Sequence, residues 1–160
     1  MDRAWSNTPA LPAYRSPFER LGVAFAVLLT NKGAPLIYYG DEIGLAGAGD
    51  PDNRRLMQFT GLSADQQYLY STIKALNAAR AAHPALRRGH RATISANATT
   101  WVYSMTTTGD TVYVAINRGD APANVSGLPA GALNELMTGT PATGPTATVP
   151  ARQARVWVAK

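Results

Sequence analysis

The sequence predicts an α/β segment followed by an antiparallel β-sandwich module, and three observations carry that reading. Two helical stretches with N-terminal capping signatures flank one short, wholly apolar, strand-like run in the first half. From Arg91 onward the texture changes to Thr, Val, Tyr and Trp at period two, cut by turn residues at sandwich-like spacing. A chain of 160 residues that is 46% hydrophobic and 16% charged is long enough for one ordinary domain or two small ones, each with a real core.

Residues up to Arg15 carry Ser6-Asn7-Thr8, Pro9 and Pro12, which is loop chemistry. Ser16-Pro17-Phe18-Glu19 then combines a capping hydroxyl, a first-turn proline and a Glu placed to close a capping box, so a helix should start there. It continues through Leu21, Val23, Phe25, Val27, Leu28 and Leu29, apolar nearly all round, to Asn31-Lys32-Gly33. Such a helix expects burial on most sides. Pro35-Leu36-Ile37-Tyr38-Tyr39 lacks polar alternation, as expected of a parallel strand covered on both faces. No second parallel-type strand accompanies it, and its backbone N–H and C=O groups need partners, which implies a larger parent fold. The glycine-rich loop Gly40–Gly49 and Asp50-Pro51-Asp52-Asn53-Arg54-Arg55 come directly after it, where function concentrates.

Ser63-Ala64-Asp65-Gln66 is a second capping box, opening an amphipathic helix through Tyr68, Leu69, Ile73, Leu76 and Ala79 that His83-Pro84 stops. A hairpin is expected from Thr99–Met105 and Thr111–Asn117 around Thr107-Thr108-Gly109-Asp110. Further strands are expected over 123–126, 133–137, 146–149 and 155–159. The boundary between the two parts falls near residues 86–91, giving segments 1–88 and 89–160.

Composition removes several classes of function. Up to Gly89 ten Lys and Arg face seven carboxylates, and from His90 on five face three, so neither half is a basic arm and nucleic acid is not expected as a partner. Absence of cysteine excludes disulfides, thiolate metal sites and a cysteine nucleophile. The longest apolar stretch, Val23–Leu29, is far below the roughly 18–20 residues of a bilayer span, so no membrane partner is expected. Asp50-x-Asp52 is no calcium loop, because Arg54 and Arg55 stand at the next ligand and glycine positions. His83 and His90 lack a second ligand at helical spacing and read as polar cap or surface residues. Neither metal nor cofactor is expected.

Among the remaining candidates, Asp41 and Glu42 are adjacent and point to opposite faces on leaving a strand, so they cannot flank one scissile bond; ordering the loops is the role they suit. Asp50 and Arg54 could hydrogen-bond vicinal hydroxyls from the acceptor and donor sides, the combination sugars need, or could simply pin their own loop as an ion pair. Lys74, Arg80, Arg87, Arg88 and Arg91 form a basic stretch explained by helix C-terminal dipoles. Trp101, Tyr103 and Tyr113 lie on the hairpin as core or cross-strand packing, or as an aromatic strip for glucan faces. Asn97-Ala98-Thr99 and Asn124-Val125-Ser126 match the glycosylation acceptor pattern.

The run Gly33-Ala34-Pro35-Leu36-Ile37-Tyr38-Tyr39-Gly40-Asp41-Glu42-Ile43-Gly44 with Gly49-Asp50-Pro51-Asp52-Asn53-Arg54-Arg55 strongly resembles the eighth-strand region of the α-amylase family of glycoside hydrolases. Residues 75–89 resemble that family's last barrel helix running into its domain C, and Trp101-Val102-Tyr103 with Val112–Asn117 resembles the opening strands of that domain. The resemblance covers essentially the whole chain. It implies that residues 1–88 are the C-terminal segment of a (β/α)8 TIM barrel (helix–strand–helix) and 89–160 an antiparallel β-sandwich domain C. It implies for the parent a retaining hydrolase or transglycosylase acting on α-glucosidic bonds, with an Asp nucleophile, a Glu acid/base and an Asp in an Asn-His-Asp motif. None of the three maps onto this chain, since Met1-Asp2-Arg3-Ala4 resembles the residues immediately after that last motif.

By that resemblance Asp50 and Arg54 hold a donor-side glucose of an α-glucan or maltooligosaccharide, and Asp41 and Glu42 support the site. A retaining glycosidase needs two carboxyl groups about 5–5.5 Å apart, and no matched pair is carried here, so the isolated chain is expected to be inactive. The rival reading is a non-catalytic carbohydrate-binding or assembly module. The apolar helix and unpaired strand add an expectation of self-association through exposed barrel surfaces.

Overall fold

The computed structural model describes residues 7–160, so the expectation placed on Met1–Ala4 lies outside the described residues. Helix α1 spans Ser16–Thr30 with Pro17 in its first turn. Its expected capping box does not form: Arg15 is the N-cap, no side chain caps the turn, and Glu19 instead accepts a 2.6 Å bond from Arg152 Nε. A charge-assisted bond to a guanidinium brought in by tertiary folding is stronger than a local bond to a backbone amide. Helix α2, Ala64–Ala82, starts with the expected reciprocal capping box of Ser63 and Gln66 and ends at His83 before Pro84. One further turn, α3, covers Ala85–Arg88. Its first free amide, at Ala85, donates to Asp110 Oδ2 at 2.9 Å, while Asp110 Oδ1 lies 2.9 Å from His83 Nδ1.

Strands β1 (His90–Ala96), β2 (Thr100–Thr107), β3 (Asp110–Asn117), β4 (Ala123–Glu135), β5 (Pro141–Val149) and β6 (Gln153–Ala159) form one antiparallel sheet in the order β1-β2-β3-β6-β4-β5. Two sequence expectations change here. The stretches 123–126 and 133–135 are parts of one long strand, because the Pro129-Ala130-Gly131 signal is absorbed as an irregularity between Ser126 and Gly131 rather than a turn, while residues 136–137 of the expected strand fall in the turn after it. The sandwich is a single continuous sheet: β6 pairs with β3 through residues 153–157 and with β4 through residues 157–159, joining what sequence spacing suggested were two layers.

Period two sorts the side chains of β2 and β3 between two cores. Tyr103, Met105, Val112, Val114 and Ile116 meet Phe18, Phe25, Leu29, Leu69, Ile73, Leu76 and Leu86 from the helices. Val102 and Ala115, on the other face, pack with Val125, Leu128, Leu133, Val149 and Trp157 from the curled β4–β6 region. Helix α1 is covered on one side only, since Val27 and Leu28 remain exposed.

The expected strand at Pro35–Tyr39 is not formed. Leu36 is 89% exposed, and the N–H groups of residues 36–39 make no hydrogen bond to another described residue. A strand is a relation between two chains of backbone, and this segment has no neighbour to pair with among the described residues. Only Ile37 reaches the helical core.

Candidate functional site

Past this segment the chain turns sharply into a single 3₁₀ turn, Asp41–Ile43, flanked by Gly40 and Gly44. Both glycines adopt positive φ, 92° and 62°, and a Cβ on Gly44 would stand 2.9 Å from the Phe18 ring. Ile43 is thereby buried on α2, which anchors the base of the loop. Glu42 Oε2 accepts from the Gly40 amide at 2.8 Å, closing the turn on itself.

Asp41 and Glu42 face different spaces. Glu42 borders an open concavity of about 450 Å³ with Tyr38, Tyr39, Tyr70, Ile73 and Lys74. Asp41 borders another, of about 360 Å³, with Tyr38, Tyr39, Leu45, Gly47 and Asn53. The tilted pair Tyr38 and Tyr39, centroids 4.6 Å apart, forms the wall between them. The Tyr39 hydroxyl donates to the Arg55 carbonyl at 3.1 Å, and its pKa is raised, first by desolvation and then by the neighbouring Tyr38.

Asp50 and Arg54 are brought together as an ion pair, Arg54 Nε to Asp50 Oδ1 at 2.9 Å, with 69% and 63% of the Arg54 and Asp50 side chains exposed. At that exposure the pair adds little to stability. The stronger loop contact, one that sequence reasoning missed, is Asp52 with Arg55: Nε and Nη2 reach the two carboxylate oxygens at 2.8 and 2.7 Å, and the Ala48 amide adds a third bond at 2.8 Å. The Arg55 hydrogen bond is the main reason the Asp52 carboxyl is held below its usual pKa. Asp52-x-x-Arg55 on one helical turn was the available signal. With Asp52 and Arg55 bracing the loop, Asp50 and Arg54 remain open to solvent with unused lone pairs and N–H groups. Among the described residues, no group of three or more His, Asp or Glu side chains is placed to hold a metal ion.

The aromatic strip does not assemble. The Trp101 and Tyr103 rings meet tilted, centroids 4.4 Å apart, but Tyr103 is fully buried under α1 and Tyr113 lies on the opposite face of the sheet. Asn97 turns its carboxamide onto the amides of Thr99 and Thr100, both 2.8 Å away.

No protein-family model matches the chain. A cyclomaltodextrinase from Geobacillus thermopakistaniensis is 37% identical over 109 residues, 67% of this chain and 18% of that protein. A cyclomaltodextrin glucanotransferase from Paenibacillus macerans is 38% identical over 117 residues, 73% of this chain and 16% of that protein. The crystal structure of an alpha-amylase from Geobacillus thermoleovorans, complexed with acarbose, superposes with a TM-score of 0.77 at 27% identity, over 88% of this chain and 33% of that one. The chain thus spans less than a fifth of the length of these curated relatives. These relatives are glucan-acting enzymes, which sets the class as carbohydrate-active. The chain belongs to the alpha-amylase family of glycoside hydrolases and corresponds to the C-terminal portion of such an enzyme.

Proposed function

We propose that residues 1–88 supply the last helix–strand–helix unit of a (β/α)8 glucan-acting barrel and residues 89–160 its domain C, the reaction belonging to the whole barrel. The observation that carries this reading is the segment Leu36–Tyr39, apolar, largely open to solvent and with backbone N–H groups that find no partner among the described residues. That is the condition of a barrel strand deprived of its neighbours on both sides. The loop beyond it would then stand at the C-terminal end of a barrel strand, where such folds build their sites.

In this reading Asp50 and Arg54 hold a glucose unit of an α-glucan or maltooligosaccharide, acceptor and donor meeting vicinal hydroxyls. Asp41 and Glu42 keep the loop in place, and their separate orientations suit support rather than bond cleavage. The chain alone, without a matched nucleophile and acid, has no glycosidase turnover. Reducing-sugar release from soluble starch and maltoheptaose should therefore equal the buffer blank; turnover that depends on the protein and vanishes in Asp50→Ala would overturn this. Retardation in starch-containing gels, lost in Asp50→Ala and retained in Trp101→Ala, supports the loop as the sugar contact. The reverse pattern supports the rival binding module.

A further inference from the structure

Outside the loop Gly40–Arg55, three elements bring cationic side chains to one place. Asn31 and Lys32 come after α1, Arg88 and Gly89 end α3, His90 and Arg91 open β1, and with Met105 they line an open concavity of about 440 Å³. Four of these seven residues are Lys, Arg or His, and none is acidic. Among the described residues, none of the four takes part in an ion pair. No Asp or Glu occurs anywhere between Asp65 and Asp110.

Helix-end carbonyls account for part of this basic stretch and leave this part over. Arg80 and Arg87 direct their guanidinium groups onto backbone carbonyls of the helix ends. The side chains of Lys32 and Arg88 donate no hydrogen bond to another described residue, and both residues are exposed. Arg91 is oriented in advance: Nη1 donates to Asn31 Oδ1 at 2.7 Å, and its guanidinium lies 4.9 Å from the Trp101 ring centroid. Its remaining N–H groups make no hydrogen bond to another described residue. Like charges held together in a concave surface repel one another until an anion joins them, and the concavity concentrates their field.

The geometry points to a binding site for a phosphate group here, with Arg91 and Arg88 as planar donors, Lys32 as a compact charge and His90 as a further N–H donor. Guanidinium forks match phosphate oxygens bidentately, and the prior fixing of Arg91 lowers the ordering cost of binding. The site stands independently of any sugar contact at Asp50 and Arg54.

Equilibrium dialysis of the full chain against radiolabelled inorganic phosphate at low salt tests it. The expected result is saturable binding at one site per chain, weakened by added salt and reduced about tenfold or more in Lys32→Gln/Arg88→Gln. Neither side chain supports the fold by a hydrogen bond, and an unchanged circular dichroism spectrum checks that. Displacement of the label by glucose 6-phosphate at lower concentration than by unlabelled phosphate supports the site with a phosphorylated sugar as occupant; equal displacement supports it with free phosphate. Absent or non-saturable binding, displacement by equal chloride, or full binding in the double variant would overturn the proposal.

Discussion

Tyr103 shows how one buried polar atom couples this fold to pH. Its hydroxyl shares a short hydrogen bond with Thr30 Oγ1, which also donates to the Ala26 carbonyl, and it accepts from Asn31 Nδ2 at 3.4 Å. Burial, partly offset by bonds to Thr30 and Asn31, pushes the phenol up to about 12 from 10.0. The folded state therefore keeps a proton that the unfolded chain loses, and stability falls as pH rises from about 10 through about 12. A shift of this size corresponds to about 3 kcal/mol at the upper end of that window. Tyr68 shifts in the same direction, chiefly by burial, so comparison with a variant isolates the contribution. Urea unfolding between pH 9 and 12 should lose stability more steeply in the native protein than in Tyr103→Phe; parallel curves would show that Tyr103 is not the source.

Among the elements, the contact that unites the three helices is a single side chain of α2. Arg80 is only 7% exposed, and Nη1 donates to the carbonyls of Leu29, Asn31 and Leu86 at 2.8, 2.9 and 2.6 Å, while Nη2 donates to that of Gly33. It satisfies the end of α1, the turn leading to the unpaired segment, and the end of α3 at once. Its pKa is lowered, first by burial and then by Arg87. Removing the guanidinium strands buried carbonyls, so Arg80→Ala should cost about 1–3 kcal/mol or more in urea unfolding. Arg80→Lys should recover only part of this, because one ammonium cannot span carbonyls spread over three segments. Full recovery by Lys would mean that charge, rather than the planar fork, is what holds the ends together.

For the whole molecule, the decisive fact is what remains uncovered. Leu36, Leu56 and Phe59 are 89%, 92% and 82% exposed, beside half-exposed Tyr38 and Tyr39 and the open side of α1. Apolar surface of this kind, next to unpaired backbone, is a template for association. We expect light scattering to give a mass that rises above 17.0 kDa with concentration. Leu36→Lys combined with Tyr38→Lys should lower it toward the monomer, since neither side chain lies in the buried core. A monodisperse 17.0 kDa species at high concentration would exclude this.

Local chemistry makes much of the chain legible from its sequence. The capping box at Ser63, the stop at His83-Pro84 and the hairpin about Thr108-Gly109 are decided by residues within a few positions of one another, and each forms where its sequence stands. The α1 cap departs from its local pattern because Glu19 answers to Arg152, which lies at the far end of the chain. The strand expected at 35–39 is absent because apolar composition establishes a tendency to burial and not the existence of a partner. In the loop, the pairing of Asp50 with Arg54 is visible in the sequence, whereas the bracing role of Asp52 and Arg55 depends on how the loop folds over the Ala48 amide. Sequence alone therefore determined the helices, the strand texture and the family to which they belong, since periodicity and turn chemistry are local. Only the tertiary structure decided that the strands make one sheet, that Tyr103 is buried and that Lys32, Arg88 and Arg91 share one concavity with His90, because those depend on contacts between residues far apart in the chain.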